Sequence, residues 1–368
     1  MTTKETLYKL LRIAIDNCDD LTLPEDVSFL DVMELSMRVG VNGLIVSGFQ
    51  RLVDNGLRLT TASKEDKVRL KTWIGLSMIL EQKSMLQWGA TQKLVDLYAE
   101  NGIITVGMKG MSVAQWYPNP MHRESCDFDC FLLKKEADGK VGFAYEDGNK
   151  VVEAVGVTVD RNIYVHSVFE YEGLMVENHH YLAAVKLSKR HRKMDELLRS
   201  LLLVEPLQPV LGSQLMMGSP MFNAVFLTHH AHRHFLNKYM PLKLLTDWAL
   251  FIKNNCSLDW ESYWRIVNEF GMLRFAQSMT RLSCRLLGTS VPFALPADDE
   301  ADSLLEGSMW DLPAGSSEGS GRRSLFSRRL GIISDLMRAR KRYKVFYDCS
   351  SFQMIVAYVK GYFLGGEE

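Results

Sequence analysis

The amino-acid sequence predicts an α+β protein in which a small mixed β-sheet is embedded between N-terminal helices and a C-terminal helical domain. Three observations carry this expectation. Apolar residues recur at helical spacing up to about residue 100, alternate with a period of two between 103 and 182, and return to helical spacing from 189 onward. The length of 368 residues exceeds what one small core fills, so more than one folding unit is expected. Hydrophobic residues make up 47% and charged residues 24%, which excludes a disordered or fibrous chain.

Residues 1–100 read as a helical segment. Leu7, Leu10, Leu11 and Ile13 mark one apolar helix face, and the pattern resumes over 29–53 after a break at Pro24. One long helix is expected over 63–100, closed by Asn101 and Gly102. Residues 101–185 read as an α/β core: a β-branched run over 103–106, an alternating run over 126–133, a helix near 146–155, and a hairpin of 164–170 with 174–180 turning at Glu172 and Gly173. Residues 186–293 form the expected helical domain, with helices near 190–203, 221–235, 242–253, 260–270 and 273–287. Pro, Asp, Glu, Gly and Ser crowd residues 294–321, the composition of a linker or mobile loop. Residues 322–368 read as C-terminal helices, a basic one over 322–342 and an apolar-aromatic one over 350–364.

Lys plus Arg (43) nearly cancels Asp plus Glu (44), giving a net charge of −1. No bulk nucleic-acid binding is therefore expected, because phosphate neutralisation needs a positive excess. The balance hides a local one: residues 322–344 are strongly basic and read as a solvated helix face. No membrane span is expected, since no stretch approaches the roughly 20 apolar residues required. The first residues lack the apolar core of a signal peptide. Six cysteines without a close pair suggest reduced thiols and a cytoplasmic location.

The chemistry-bearing stretch begins at the end of the first strand. Asp127 and Asp129, two apart in a strand, project to one face, while Cys126, Phe128 and Cys130 point to the other and into a core. Two adjacent carboxylates repel each other unless a cation lies between them, and Mg²⁺ or Mn²⁺ suits such oxygen donors. A solvated acidic strand face is the plainer alternative. Before the pair, Lys109 and Gly110 form a turn opening an apparent helix, whose N-terminus suits a phosphate. Ser112 adds a hydroxyl donor, and Arg123 would meet either phosphate or Glu124. Holding two metals for displacement at phosphorus calls for a third carboxylate. Glu177, mid-strand in the second hairpin arm, is preferred over Glu170 and Glu172, which lie at the turn and are expected to be solvated.

Taken together, Lys109-Gly110, a roughly dozen-residue helix, Arg123, the Asp127/Asp129 pair and a strand with Glu177 and His179 resemble the uncharacterised nucleotidyltransferase family of bacterial proteins. That family belongs to the polymerase-β-like nucleotidyltransferase superfamily. A His-rich helix over 227–234, followed by Pro241 to Asp247, is similar to the family's helical region, so the resemblance covers approximately 75–290. It implies a nucleotidyltransferase core, two-metal catalysis, and transfer of NMP from an NTP to an unknown hydroxyl acceptor. Carried over by position, it implies Lys109 and Gly110 as the phosphate turn, Asp127 and Asp129 as the metal pair and Glu177 as the third acid. The chain departs from the usual pattern at Met111, where Ser or Gly is common, at Cys126, where Gly is common, and at Glu177, where many members carry Asp.

Other readings compete. His229, His230, His232 and His234 share helix faces in pairs, which invites a zinc site; packing, or contact with the cleft, is the expected role, with Asp247 capping or pairing one of them. His179 or His180 would line the same cleft as Glu177, against the plainer expectation of a histidine satisfied by its neighbours. No serine-hydrolase elbow, P-loop or Rossmann fingerprint is present. A catalytically silent nucleotide-binding or protein-interaction module on the same fold is the alternative to an enzyme. A further one makes the helical remainder a partner in a toxin–antitoxin or surface-polysaccharide system.

Overall fold

The computed structural model describes residues 1–18, 20–22, 28–56, 63–237, 239–310 and 340–346. Three helices open the chain: α1 (Thr3–Ala14), α2 (Phe29–Arg38) and α3 (Asn42–Asp54). The Thr2 hydroxyl accepts from the Glu5 N–H while the Glu5 carboxylate accepts from the Thr2 N–H, a capping box that starts α1. The apolar pattern over 29–53 resolves into two helices because Gly40, at φ +71°, takes the left-handed turn between them. The long helix α4 (Lys64–Glu100) follows, capped by Ser63 and stopped at Asn101 and Gly102, as its sequence predicts.

The α/β unit comprises β1 (Ile103–Gly107), α5 (Met111–Ala114), a 3₁₀ turn (Pro120–His122), β2 (Phe128–Lys135), β3 (Val141–Phe143), α6 (Tyr145–Ala154), β4 (His166–Tyr171) and β5 (Leu174–His179). After α7 (Lys189–Val204), the short strands β6 (Gln208–Pro209) and β7 (Met216–Met217) return to the sheet. The seven strands lie in the order β4-β5-β2-β1-β7-β6, with β3 also paired to β2. The sheet is mixed: β2 with β5 and β1 with β7 are parallel, and the other pairs antiparallel. The remainder is helical: α8 (Pro220–Asn237), α9 (Leu242–Asn254), α10 (Trp260–Glu269), α11 (Leu273–Leu287) and α12 (Asp299–Trp310).

Strand alternation splits β2 between two cores. Phe128, Cys130 and Leu132 pack with Leu94 and Tyr98 of α4 and Val152 of α6. Phe131 and Leu133 join the larger core with Leu198 of α7 and Phe222 of α8. That larger core also takes in α1, α2, α3, α9, α11 and α12. Arg12 fastens α1 to the C-terminus of α11, donating to the carbonyls of Leu286 and Arg285 at 2.8 and 2.7 Å.

Two expectations change here. Within 294–321, residues 299–310 form α12 rather than linker, and the remainder of that stretch from 311 lies outside the described residues. Its Ala301, Leu305 and Met309 are fully buried, and burying a large apolar side chain contributes about 1.5–3 kcal/mol, which favours the helix despite its polar composition. Arg281 anchors it through Asp302 at 2.7 Å. The basic segment is not wholly a solvated face either: Arg342 is buried and donates to the Phe235 carbonyl at 2.8 Å, whereas Arg340, Lys341 and Lys344 are exposed. Most of the predicted basic helix and all of 350–364 lie outside the described residues. No described helix is long and apolar enough to cross a membrane.

The approach to β2 is fixed by close backbone packing. A Cβ on Gly43 would stand 2.2 Å from the His122 carbonyl oxygen, in the turn that leads into the strand. Gly75, mid-way along α4, faces open space. Gly43→Ala is therefore expected to lower unfolding free energy by about 1–3 kcal/mol through overpacking, despite the roughly 1 kcal/mol by which alanine favours a helix. Gly75→Ala is expected to be neutral or slightly stabilising. Urea denaturation of the two variants beside the parent chain measures both.

Candidate active site

The Lys-Gly turn is built by mutual locking of two loops. Gly110 adopts φ +59°, and a Cβ there would fall 2.8 Å from Ser125 Oγ, so glycine is required on both counts. Ser125 Oγ in turn donates to the Asp127 carbonyl at 2.8 Å, and the Met108 N–H donates to the Asp129 carbonyl at 3.2 Å. The expected dozen-residue helix after the turn is a single turn, α5. Pro118 and Pro120 remove amide donors just beyond it, and the Trp116 and Tyr117 N–H groups close 3₁₀-type bonds instead. Ser112 is buried and its hydroxyl donates to the Lys109 carbonyl at 3.1 Å, so it closes the turn rather than facing the cleft.

Strand β2 starts at Phe128, which leaves Asp127 at its mouth and Asp129 within it. Cys126 is exposed, not in the core as alternation predicts, because the strand has not yet begun. Asp129 is the register partner of Glu177 across the parallel β2–β5 pair, which puts both on one face. Ligand oxygens of Asp127, Asp129 and Glu177 all lie within 4.8 Å of one another. Lys109 enters this cluster: its Nζ is 3.0 Å from Asp129 Oδ1 and 4.0 Å from Asp127 Oδ2. His179 Nε2 stands 3.1 Å from the same Asp129 oxygen and 3.5 Å from Glu177. Glu170 and Glu172 are exposed and join neither metal-ligand group among the described residues, and Glu172 pairs with Lys93 at 2.6 Å.

Burial works against ionisation of Asp129, but the Lys109 ammonium and the His179 hydrogen bond outweigh it and hold that carboxyl well below the usual range. Asp127 moves the other way: burial and the negative charge of Asp129 raise it, and Lys109 only partly compensates. For Lys109 burial is again opposed, here by Asp129 and Asp127, and its pKa rises.

Arg123 is placed elsewhere. Buried beside α9, it grips Asp247 with two bonds, Nη2–Oδ2 at 2.8 Å and Nε–Oδ1 at 3.2 Å, and a third goes to the Glu124 carbonyl at 2.7 Å. Tyr117 also donates to Asp247 at 2.6 Å, so the bonds that reach this carboxylate come from Tyr117 and Arg123. Those histidines take separate roles. His232 packs on Phe275, while His229 and His230 line a small cleft with Lys109, Asp129, His179 and Arg233. Burial lowers the pKa of both cleft histidines, and neither joins a metal-ligand group among the described residues. His180 turns away and stacks between Tyr145 and Tyr181.

The local pattern missed two groups, His166 and Lys243. His166 reaches the cluster only through hairpin register, opposite His179. Lys243, on α9, lies within electrostatic reach of Asp247 and Asp127, and burial followed by Arg123 lowers its pKa.

A family model described as Uncharacterised nucleotidyltransferase matches residues 58–288, more than half of the chain. The chain belongs to that family. No curated protein and no solved structure matches it. The matched stretch contains the whole sheet and every residue of the acidic cluster, so the nucleotidyltransferase assignment and the geometry coincide. A divalent cation of the kind such enzymes use fits these residues. Asp129 Oδ2 is fully buried with no hydrogen-bond partner, and three carboxylates face one ammonium.

The raised Asp127 pKa gives a signed prediction. A carboxyl held higher in the folded than in the unfolded chain stabilises the fold while protonated, and that contribution is lost as pH rises from about 3.9 through the raised value. In chelator-treated protein at pH 7, Asp127→Asn is therefore expected to stabilise by an amount on the order of 1 kcal/mol, and to flatten the mildly acidic limb of the stability profile. Adding Mn²⁺ is expected to reverse the order, since only the parent chain keeps all three acids. Thermal melts across pH, with and without Mn²⁺, check both.

Proposed function

We propose that this chain is a metal-dependent nucleotidyltransferase of the polymerase-β-like superfamily, transferring NMP from an NTP to a hydroxyl acceptor. The observation that carries the reading is the buried, partnerless Asp129 Oδ2 in a cluster with Asp127 and Glu177, inside the stretch matched by the family. Three carboxylates with one lysine leave an excess of negative charge that Mg²⁺ or Mn²⁺ neutralises. Asp127, Asp129 and Glu177 would hold the ions, which when bound supply charge neutralisation and in-line alignment of the triphosphate.

The remaining work falls to the chain itself. The acceptor oxygen attacks the α-phosphorus, the bond to the bridging oxygen breaks, and pyrophosphate leaves with the electron pair. Glu177, the more open partner of Asp129, receives the acceptor's proton on its carboxylate. Lys109 keeps Asp129 ionised and stands where β/γ-phosphate charge arrives, and Gly110 lets the backbone approach that charge closely. Lys243 is a second cation for the phosphates, because an incoming anion restores the charged form that burial disfavours. Arg123 acts through position, tying the loop before β2 to α9 through Asp247. Residues 101–185 would form the transfer core, and α8 and α9 would close it from the helical side.

An NTP panel with Mg²⁺ or Mn²⁺, followed by pyrophosphate release, tests this. The parent chain is expected to turn over only with the ion present, and Asp127→Ala/Asp129→Ala to lose about 10³-fold or more, the scale of removing a principal charge-stabilising group. Equal rates for the two proteins would show the site to be misplaced. Absence of turnover with every NTP and a range of small alcohol, sugar and RNA acceptors would favour a silent nucleotide-binding module.

A further inference from the structure

The carboxylate face of the sheet carries two imidazoles that the oxygen-only cluster does not use. Glu177 and His179 are two residues apart on β5 and share its face, and His166 is the register partner of His179 across the hairpin. Ligand atoms of His166, Glu177 and His179 all lie within 4.8 Å of one another, as those of Asp127, Asp129 and Glu177 do, and Glu177 is common to both groups. His166 is 1% and His179 8% exposed, so the imidazoles form the buried end of the arrangement.

The His179 ring sets one nitrogen on a backbone carbonyl and the other on the acids. Its Nδ1 faces the Tyr181 carbonyl at 3.3 Å, an acceptor for an N–H on that nitrogen. Its Nε2 stands 3.1 Å from Asp129 Oδ1 and 3.5 Å from Glu177 Oε2, so the nitrogen that meets these acids is the one a neutral imidazole would offer to a cation held among them. Metal-bound histidines characteristically present one ring nitrogen to the ion while a carbonyl or carboxylate holds the other N–H, and the Tyr181 carbonyl stands where that second partner is needed. The buried Asp129 Oδ2, which has no hydrogen-bond partner, is an independent sign that the single ammonium of Lys109 does not satisfy all of these acids.

Resting on the reading that these acids hold divalent ions, we propose that His166, Glu177 and His179 form a second, nitrogen-bearing cation subsite. It shares Glu177 with the oxygen-only set and takes Mn²⁺, Co²⁺ or Zn²⁺ in preference to Mg²⁺. Imidazole raises affinity along the transition series, whereas Mg²⁺ keeps to oxygen donors. The chain would accordingly carry two unlike positions, one for the ion that travels with the nucleotide and one for a resident ion.

The test uses the full chain loaded with Mn²⁺ alone and reads ¹⁴N coupling by electron spin-echo modulation. Imidazole coupling is expected in the parent chain, retained in Asp127→Asn and lost in His166→Gln/His179→Gln. In equilibrium dialysis the preference for Co²⁺ over Mg²⁺ is expected to fall at least about tenfold in the histidine variant. Bound Mn²⁺ without nitrogen coupling in the parent chain would overturn the subsite, making His179 an imidazolium that only positions the carboxylates, and would leave the nucleotidyltransferase reading intact. Failure to bind any divalent ion would overturn both. Because the deciding spectrum is that of the parent chain, misfolding of a variant does not blunt the test.

Discussion

The structure turns on burying one carboxylate. Asp129 is 1% exposed, and an ionised carboxyl removed from water carries a penalty of several kcal/mol unless it is paired and hydrogen-bonded. Only half of that requirement is met from within the chain. Oδ1 has Lys109 and His179, whereas Oδ2 has no partner. The neighbouring acids cannot supply one, since they carry the same charge. A site so arranged is stable enough to fold and still short of positive charge, which is the state a cation- and nucleotide-binding site needs before loading.

The surrounding elements make sense as means of holding that carboxylate in place. Gly110 allows the Lys109 turn to close on Ser125, and so aims the ammonium at β2. The parallel β2–β5 pairing delivers Glu177 beside Asp129, and the β4–β5 hairpin adds His166 and His179 from the next strand. The Arg123–Asp247 pair does not touch the cluster. Its two-pronged grip holds the segment entering β2 to the helical side, and breaking a pair this deeply buried typically costs about 3–5 kcal/mol. Asp127 and Asp129 end with opposite displacements, the inner one kept ionised by its partners and the outer one discouraged from ionising by the inner.

Much of this was legible in the sequence where the signal is local. The two-residue period from Asp127 to Leu133 predicts which side chains share a face, and Glu177 follows from its place mid-strand in a hairpin marked by Glu172 and Gly173. The long helix, its Asn101-Gly102 stop and the five helices after 186 likewise depend on periodicity and caps. What the sequence did not disclose depends on distant contacts. Arg123 finds Asp247 across 124 positions, and nothing near either residue announces the other. His166 becomes relevant only when hairpin register sets it opposite His179. Ser112 reads as a phosphate donor until the turn is seen to consume its hydroxyl. Residues 294–310 mislead by composition, although Ala301, Leu305 and Met309 recur at four-residue intervals, a helical signal overshadowed by the surrounding acids and proline.

The central claim is that Asp129 Oδ2 is a cation ligand in waiting, together with Asp127 and Glu177. The most direct measurement is a crystal structure of the chain grown with MnCl₂ and a non-hydrolysable NTP, with anomalous differences locating the manganese. The account predicts a peak within direct coordination distance of oxygens of both aspartates, with Glu177 completing a coordination shell. A map with no peak there, Lys109 still closed on Asp129 and the nucleotide bound elsewhere would contradict it.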